Sequence, residues 1–315
     1  MKNENFVTLF DKKFLPQGLA LYYSMIKHIK NFTLWIVCID QLVYDRLNLL
    51  NLSNVKLLNL NDIETKDLLS IKNQRTRTEY CWTLTPFTPR FVFDSDSSIK
   101  QVTYIDADIW FRKSPSKIFI EFEQSKKDVL ITDHSYSPEY DQSASSGQFC
   151  VQFMIFKKNR GSELVRKNWE DKCLEWCYNK QENGKFGDQK YLEDWPISFS
   201  RNVHILQDKE LALAPWNILR FPYGNSIFFH FHGLRIINSK KIFLGNYKIP
   251  KPVIENIYKP YLEDLSLVIN KLKKNNFNIF QQTKYNSTLF YLIVGLRRLI
   301  LDFLKSYKIS RVHKL

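Results

Sequence analysis

Two aspartates, Asp106 and Asp108, close the apolar run VTYIDADIWF at residues 102–111. Strand geometry puts residues two apart on the same face, so both carboxylates turn to one side. Like charges held together repel unless something positive sits between them. A divalent cation bound through oxygen ligands meets that need. A second D-x-D, Asp94 and Asp96 in DSDSS, has no such setting and reads as a solvated helix exit. Only the Asp106 pair follows a buried strand and precedes further apolar residues, Ile109, Trp110 and Phe111.

Two chemistries use an apolar strand that ends this way. In metal-dependent sugar transfer, the cation bridges the diphosphate of a nucleotide sugar and neutralises the charge that grows as the nucleotide leaves. In haloacid-dehalogenase-type phosphatases, the first Asp is a nucleophile and the second a general acid. That second pattern wants Thr or Val two residues after the second Asp, where this chain has Trp110. It also wants an acidic residue four positions after a Gly-Asp, and Gly187–Asp188 is followed there by Leu192.

Two further groups carry chemistry. FGDQKYLEDWP (186–196) sets Asp188 and Gln189 at an expected helix start, where an Asp also serves as an ordinary N-cap. In IFFHFHGL (227–234), alternation sends Phe229 and Phe231 one way and His230 and His232 the other. Neutral imidazole ligates metals at pH 7. Either histidine would complete a two-Asp-plus-His site for Mn²⁺ or Mg²⁺.

The positioning elements follow from periodicity. Strands are expected at 6–10, 32–39, 55–60, 101–105, 128–132, 149–156 and 226–232. Helices are expected from Pro16 to Ile29, over 41–50, from Arg75 to Phe93, over 162–180 and from Asp188. Such alternation implies an α/β fold, a mostly parallel open sheet flanked by helices. Ligands of such sheets sit outside the carboxyl ends of the strands, where Asp106 and Asp108 fall. The one punctuation, GNYKIPKP at 245–252, divides a domain of residues 1–250 from a basic helical extension, 251–315.

Composition narrows the partners. A net charge of +14, from 46 Lys and Arg against 32 Asp and Glu, favours an anionic partner such as a nucleotide or a phospholipid surface. No RNA or DNA motif is visible, so no nucleic acid is expected. Five irregularly spaced cysteines suit free thiols and a reducing cytosol. The N-terminus reads as a first strand, not a signal peptide.

Taken together, strand-DAD, the strand FCVQFMIF, GDQ and HFHG resemble, in that order, retaining glycosyltransferases of the GT-A (Rossmann-like) fold. Family-8 galactosyl- and glucosyltransferases and glycogenin share the pattern. TEYCWTLTP, VTYIDADIWF, KFGDQKYLEDWP, LAPWN and FHFHGLR also resemble bacterial surface-polysaccharide glycosyltransferases. The resemblance spans about residues 5–250. It implies a metal held by Asp106, Asp108 and His230, with His232 second choice, because the family has a His three residues before a Gly and Gly233 fits. It puts Asp106 and Ala107 at the donor, Thr8 and Phe10 at the nucleobase, and Asp188 and Gln189 beside the anomeric carbon. Cys150–Val151–Gln152 departs from the family's Asn-Ala-Gly, and Tyr80–Cys81–Trp82 lacks its arginine. Arg75, Arg77 or Arg235 would then act on the diphosphate, since a guanidinium pairs with phosphate in bidentate fashion.

The resemblance therefore implies transfer from a UDP-sugar to a saccharide or lipid-linked glycan, with retention, in making capsule or lipopolysaccharide. The run YNSTLFYLIVGLRRLILDFLK (285–305) is too short in its apolar part for the roughly 20 residues of a spanning helix. It reads as an interfacial amphipathic helix with a cationic flank, which would hold a cytoplasmic enzyme on the inner face of the membrane.

Overall fold

The computed structural model describes residues 3–238, 241–275, 277 and 312–314. It divides into two compact units, Met1–His230 and Phe231–Leu315. The strands of the first are β1 (Glu4–Phe10), β2 (Phe32–Cys38), β3 (Val55–Asn59), β4 (Gln101–Ile105), β5 (Ile109–Phe111), β6 (Val129–Asp133), β7 (Phe149–Lys157), β8 (Val203–Ile205), β9 (Ala212–Leu213) and β10 (Phe228–His230).

Seven of them form one sheet in the order β3-β2-β1-β4-β7-β6-β8. The pairs β3/β2, β2/β1, β1/β4 and β6/β8 are parallel, and β7 runs antiparallel to both its neighbours. The sequences explain the placement. FTLWIVC and FCVQFMIFK are nearly continuous apolar runs and are buried almost throughout, as strands covered on both faces must be. The chain leaves β1 for β2 on one side and returns to β4 on the other. That reversal of strand order opens a crevice at the carboxyl ends of β1 and β4.

The span expected as one helix from Arg75 to Phe93 is two. Arg77–Leu84 starts on a capping box between Thr76 and Glu79. A tight turn, Thr85–Phe87, then leads into the helix Thr88–Ser95. Pro86 and Pro89 cause the break. Each lacks an amide hydrogen and sits in the first turn of its own element. The helix expected from Asp188 is instead a 3₁₀ run, Gln189–Asp194, and a single turn, Trp195–Ser198. The strand expected over 226–232 covers only Phe228–His230.

The second unit holds β11 (Arg235–Asn238), β12 (Lys241–Phe243) and β13 (Val312–Lys314) as an antiparallel sheet. Its helix Lys259–Lys274 buries Tyr261, Leu265 and Val268 and ends on Lys271, Lys273 and Lys274, which suit the negative end of a helix dipole. Phe231 stacks on Tyr261 there. The amphipathic segment expected at 285–305 lies outside the described residues. No helix among the described residues is long and apolar enough to cross a membrane.

Candidate metal and donor site

The carboxylates do not extend a strand. β4 stops at Ile105, and Asp106–Ala107–Asp108 form a turn closed by the Ile109 amide donating to the Asp106 carbonyl at 3.2 Å. The chain then enters β5, which pairs antiparallel with β10 and sets His230 opposite Ile109. This pairing carries the imidazole to the aspartates. His230 Nε2 lies 3.0 Å from Asp108 Oδ1 and 3.7 Å from Asp106 Oδ2. Ligand atoms of the three residues all fall within 4.8 Å of one another. Among the described residues, this is the one His/Cys/Asp/Glu group of three or more placed to hold an ion.

Electrostatics match that geometry. Burial pushes the Asp106 carboxyl up; His230 opposes the shift and the Asp108 charge adds to it. Two oxygens and one nitrogen converge here, and their repulsion is relieved by a proton or a cation. A hard divalent cation such as Mn²⁺ or Mg²⁺ fits the set. The His230–Asp108 contact also argues against the phosphatase alternative, which needs Asp108 free to give a proton.

Surrounding groups fix the ring. His230 Nδ1 meets Gln152 Oε1 at 3.0 Å. Trp216, from the LAPWN motif, stands edge-to-face against the imidazole at 5.2 Å and 85°. Trp216 is itself held, since its Nε1 donates to the His134 carbonyl at 2.9 Å. Asn217 Nδ2 donates to the same carbonyl at 3.0 Å.

Asp188 shares this acidic neighbourhood. It is buried, and its Oδ2 has no hydrogen-bond partner. Burial first, and the Asp106 charge second, push its carboxyl up to about 7. Trp169 Nε1 donates to the Asp188 carbonyl at 2.8 Å and fixes the backbone beneath it. The Tyr104 hydroxyl donates to Asp106 Oδ1 at 2.8 Å and also meets Thr85, whose hydroxyl faces Asp188. Gln189 Nε2 donates to the Ser146 carbonyl at 2.8 Å.

No protein-family model matches the chain. The uncharacterized protein YfnD of Bacillus subtilis is 27% identical to it over 292 residues, 87% of this chain and 92% of that one. The galactosyltransferase LgtC, solved in complex with donor and acceptor sugar analogs, superimposes with a TM-score of 0.52 at 10% identity, over 84% of this chain and 95% of its own. Mouse xyloside xylosyltransferase 1, in its apo form, gives 0.50 at 12% identity, over 73% and 97%. The fold is that of a GT-A glycosyltransferase.

Within the GT-A framework, the structure does not bring every expected donor residue to the crevice. Thr8 is buried in β1 between β2 and β4, and its hydroxyl has no partner. The Phe10 ring is buried on the helix Leu15–His28: a Cβ added at Gly18 would lie 2.4 Å from Phe10 Cε1. It fills the strand–helix interface, so a nucleobase would meet the backbone beyond it rather than an open ring. Arg77 is bound to Asp40, with Asp11 3.8 Å away, and locks the ends of β1 and β2 together. Arg75 is buried, donates to the Leu174 carbonyl at 3.3 Å and lies 3.8 Å over the Tyr178 ring. Each guanidinium has a partner of its own, Asp40 for Arg77 and the Leu174 carbonyl and Tyr178 ring for Arg75, whose buried Nε and Nη1 have no hydrogen-bond partner. His232 and Arg235 belong to the second unit. His232 is exposed and its Nδ1 meets the Tyr247 hydroxyl at 3.2 Å, while Arg235 Nη1 donates to the Leu234 carbonyl at 2.8 Å.

Tyr104, Thr85, Gln152 and Trp216 were not singled out as site residues from the sequence. Three of them stand on apolar stretches where a polar atom is costly unless paired. That mismatch, a buried glutamine inside FCVQFMIF above all, was the available signal.

Proposed function

We propose that this chain is a metal-dependent glycosyltransferase. It moves a sugar from a nucleotide diphosphate sugar, a UDP-sugar, to a saccharide or lipid-linked glycan with retention of configuration, in surface-polysaccharide biosynthesis. The carrying observation is the convergence of Asp106, Asp108 and His230 at the strand-order reversal of a GT-A sheet. Those three residues would hold Mn²⁺ or Mg²⁺, which would supply positive charge against the departing nucleoside diphosphate.

The chain's own residues do the rest. The acceptor hydroxyl forms the new bond to the anomeric carbon as the bond to the nucleotide's phosphate oxygen breaks. The hydroxyl proton passes to that same phosphate oxygen, so no separate base is consumed. Asp188 and the Gln189 carboxamide oxygen stabilise the positive anomeric centre in between. An ionised Asp188 suits that task better than a neutral one, and cationic charge beside Asp106 lowers its proton affinity. Tyr104 holds Asp106 at a fixed position through its hydroxyl, and Thr85, whose own hydrogen goes to the Cys81 carbonyl, packs beside Asp188.

A thermal-shift panel of nucleotide sugars, with and without Mn²⁺, tests this. A ligand that binds only the folded form raises its midpoint. A rise with a UDP-sugar that requires Mn²⁺ is expected, and its absence across the panel overturns the proposal. Proton NMR of the product's anomeric centre then decides retention.

A further inference from the structure

We infer that Gln152 is a positioning residue that fixes the tautomer of His230, so that Nε2 is the atom offered to the metal. The inference rests on the metal site proposed above but concerns a different residue and a different atom.

Gln152 is fully buried in β7, and both ends of its carboxamide have partners. The order of those partners decides which end is oxygen. The Thr132 hydroxyl lies 3.3 Å from the Cys150 carbonyl, which can only accept, so the hydroxyl spends its one hydrogen there. It then offers lone pairs to the Gln152 amide, whose Nε2 lies 3.4 Å away and donates. The carboxamide oxygen is thereby turned to His230 Nδ1, at 3.0 Å. An oxygen there requires Nδ1 to carry the hydrogen. In the neutral ring that ligates a metal, Nε2 is then the lone-pair atom, and it is the one facing Asp106 and Asp108.

A hydrogen-bond chain thus runs from a strand carbonyl through a threonine, a glutamine and a histidine to the metal position. The same residue also sets the height of the aspartate turn. Its main-chain carbonyl accepts from the Asp106 amide at 3.0 Å, one step past the last β4–β7 pair. Gln152 therefore registers two of the three ligand-bearing segments, one by its backbone and one by its side chain. Partners of this kind, bound to the far nitrogen of a ligating histidine, commonly hold metal affinity up by about 10- to 100-fold.

The test compares Gln152→Leu, Gln152→Glu and Thr132→Val with the wild type. Free Mn²⁺ is titrated by electron paramagnetic resonance, with Mn²⁺ alone as the probe. In parallel, the His230 Nδ1–H proton is followed by ¹⁵N-edited NMR of the metal-free protein, assigned with His230→Asn. Gln152→Leu removes the acceptor and should weaken Mn²⁺ binding about 10- to 100-fold. Its Nδ1–H signal should lose its protection from exchange. Gln152→Glu still accepts from Nδ1 and should keep both properties within a few-fold. Thr132→Val frees the amide to flip and should fall between them. Equal Mn²⁺ affinity and an unchanged Nδ1–H in Gln152→Leu overturn the inference, as does equal loss in the Leu and Glu variants. If the wild type takes up no Mn²⁺, the metal proposal fails, and the NMR readout still decides the role of Gln152.

Discussion

Replacing Asp188 by asparagine should make the metal-free protein more stable at pH 8 while stopping catalysis. The carboxyl is buried with one oxygen unpartnered, and its proton affinity is raised to about 7 from the ordinary 3.8. A carboxyl raised on folding favours the folded state fully below the unfolded value, and that contribution is lost as pH climbs through the folded one. At ~1.4 kcal/mol per tenfold change in proton affinity, the span from 3.8 to about 7 withholds roughly 4 kcal/mol above pH 7. The figure belongs to the Asp106–Asp188 pair, because the Asp106 charge is the second cause of the shift. Asparagine keeps the shape and carries no charge to desolvate. At about 2 °C per kcal/mol for a chain of this size, the midpoint should rise by at most roughly 8 °C at pH 8. The gap should close as pH falls towards 4, where wild-type Asp188 is itself neutral. Differential scanning of both proteins in chelator across that range is the assay. A gap of the same size at every pH, or a less stable variant at pH 8, would refute the electrostatic account.

Other expectations follow from the same geometry. Asp106→Ala or Asp108→Ala should reduce sugar transfer by at least about 100-fold, the scale of losing a charge-stabilising group, while circular dichroism stays unchanged; near-wild-type turnover in either removes the metal assignment. Gly18→Ala should cost about 1–3 kcal/mol by driving a Cβ into the buried Phe10 ring, read as a lower midpoint in urea. Arg77→Ala should loosen the tie between β1 and β2 through Asp40, raising donor KM several-fold with little change in kcat if the residue only shapes the crevice. Deleting residues 285–315 should abolish sedimentation with anionic vesicles, and unchanged partitioning would sink the membrane proposal.

Much of the framework was legible because its signals are local. The apolar runs of β1, β2, β4 and β7 stand out against helical spacing, and the helices between β1, β2 and β4 imply the parallel half of the sheet, whereas the antiparallel run of β7 has no local signal. The aspartate pair was legible as a site, but its conformation was not. Strand alternation put both carboxylates on one face, whereas a turn carries them and a long-range antiparallel pairing of β5 with β10 brings His230 to them. Alternation likewise made His230 and His232 equal partners. The strand ends at His230, and Gly233 follows with φ of 81°, a left-handed conformation that breaks the repeat. For Arg75 and Arg77, a charge near a helix says nothing in sequence about which partners the fold supplies. Asp40 and Tyr178 lie far from them in sequence, and their claims on the guanidiniums are visible only in three dimensions.

The proposed third metal ligand, His230, is the last residue of the first unit. During synthesis, β1 through β8 leave the ribosome before His230 does, and domains generally fold from the N-terminus as they emerge. A nascent chain can thus complete its main sheet while the pair of aspartates still lacks its imidazole. Under the proposed metal assignment, ion capture would follow assembly of the main sheet, and a product cut short before β10 would lack the third ligand.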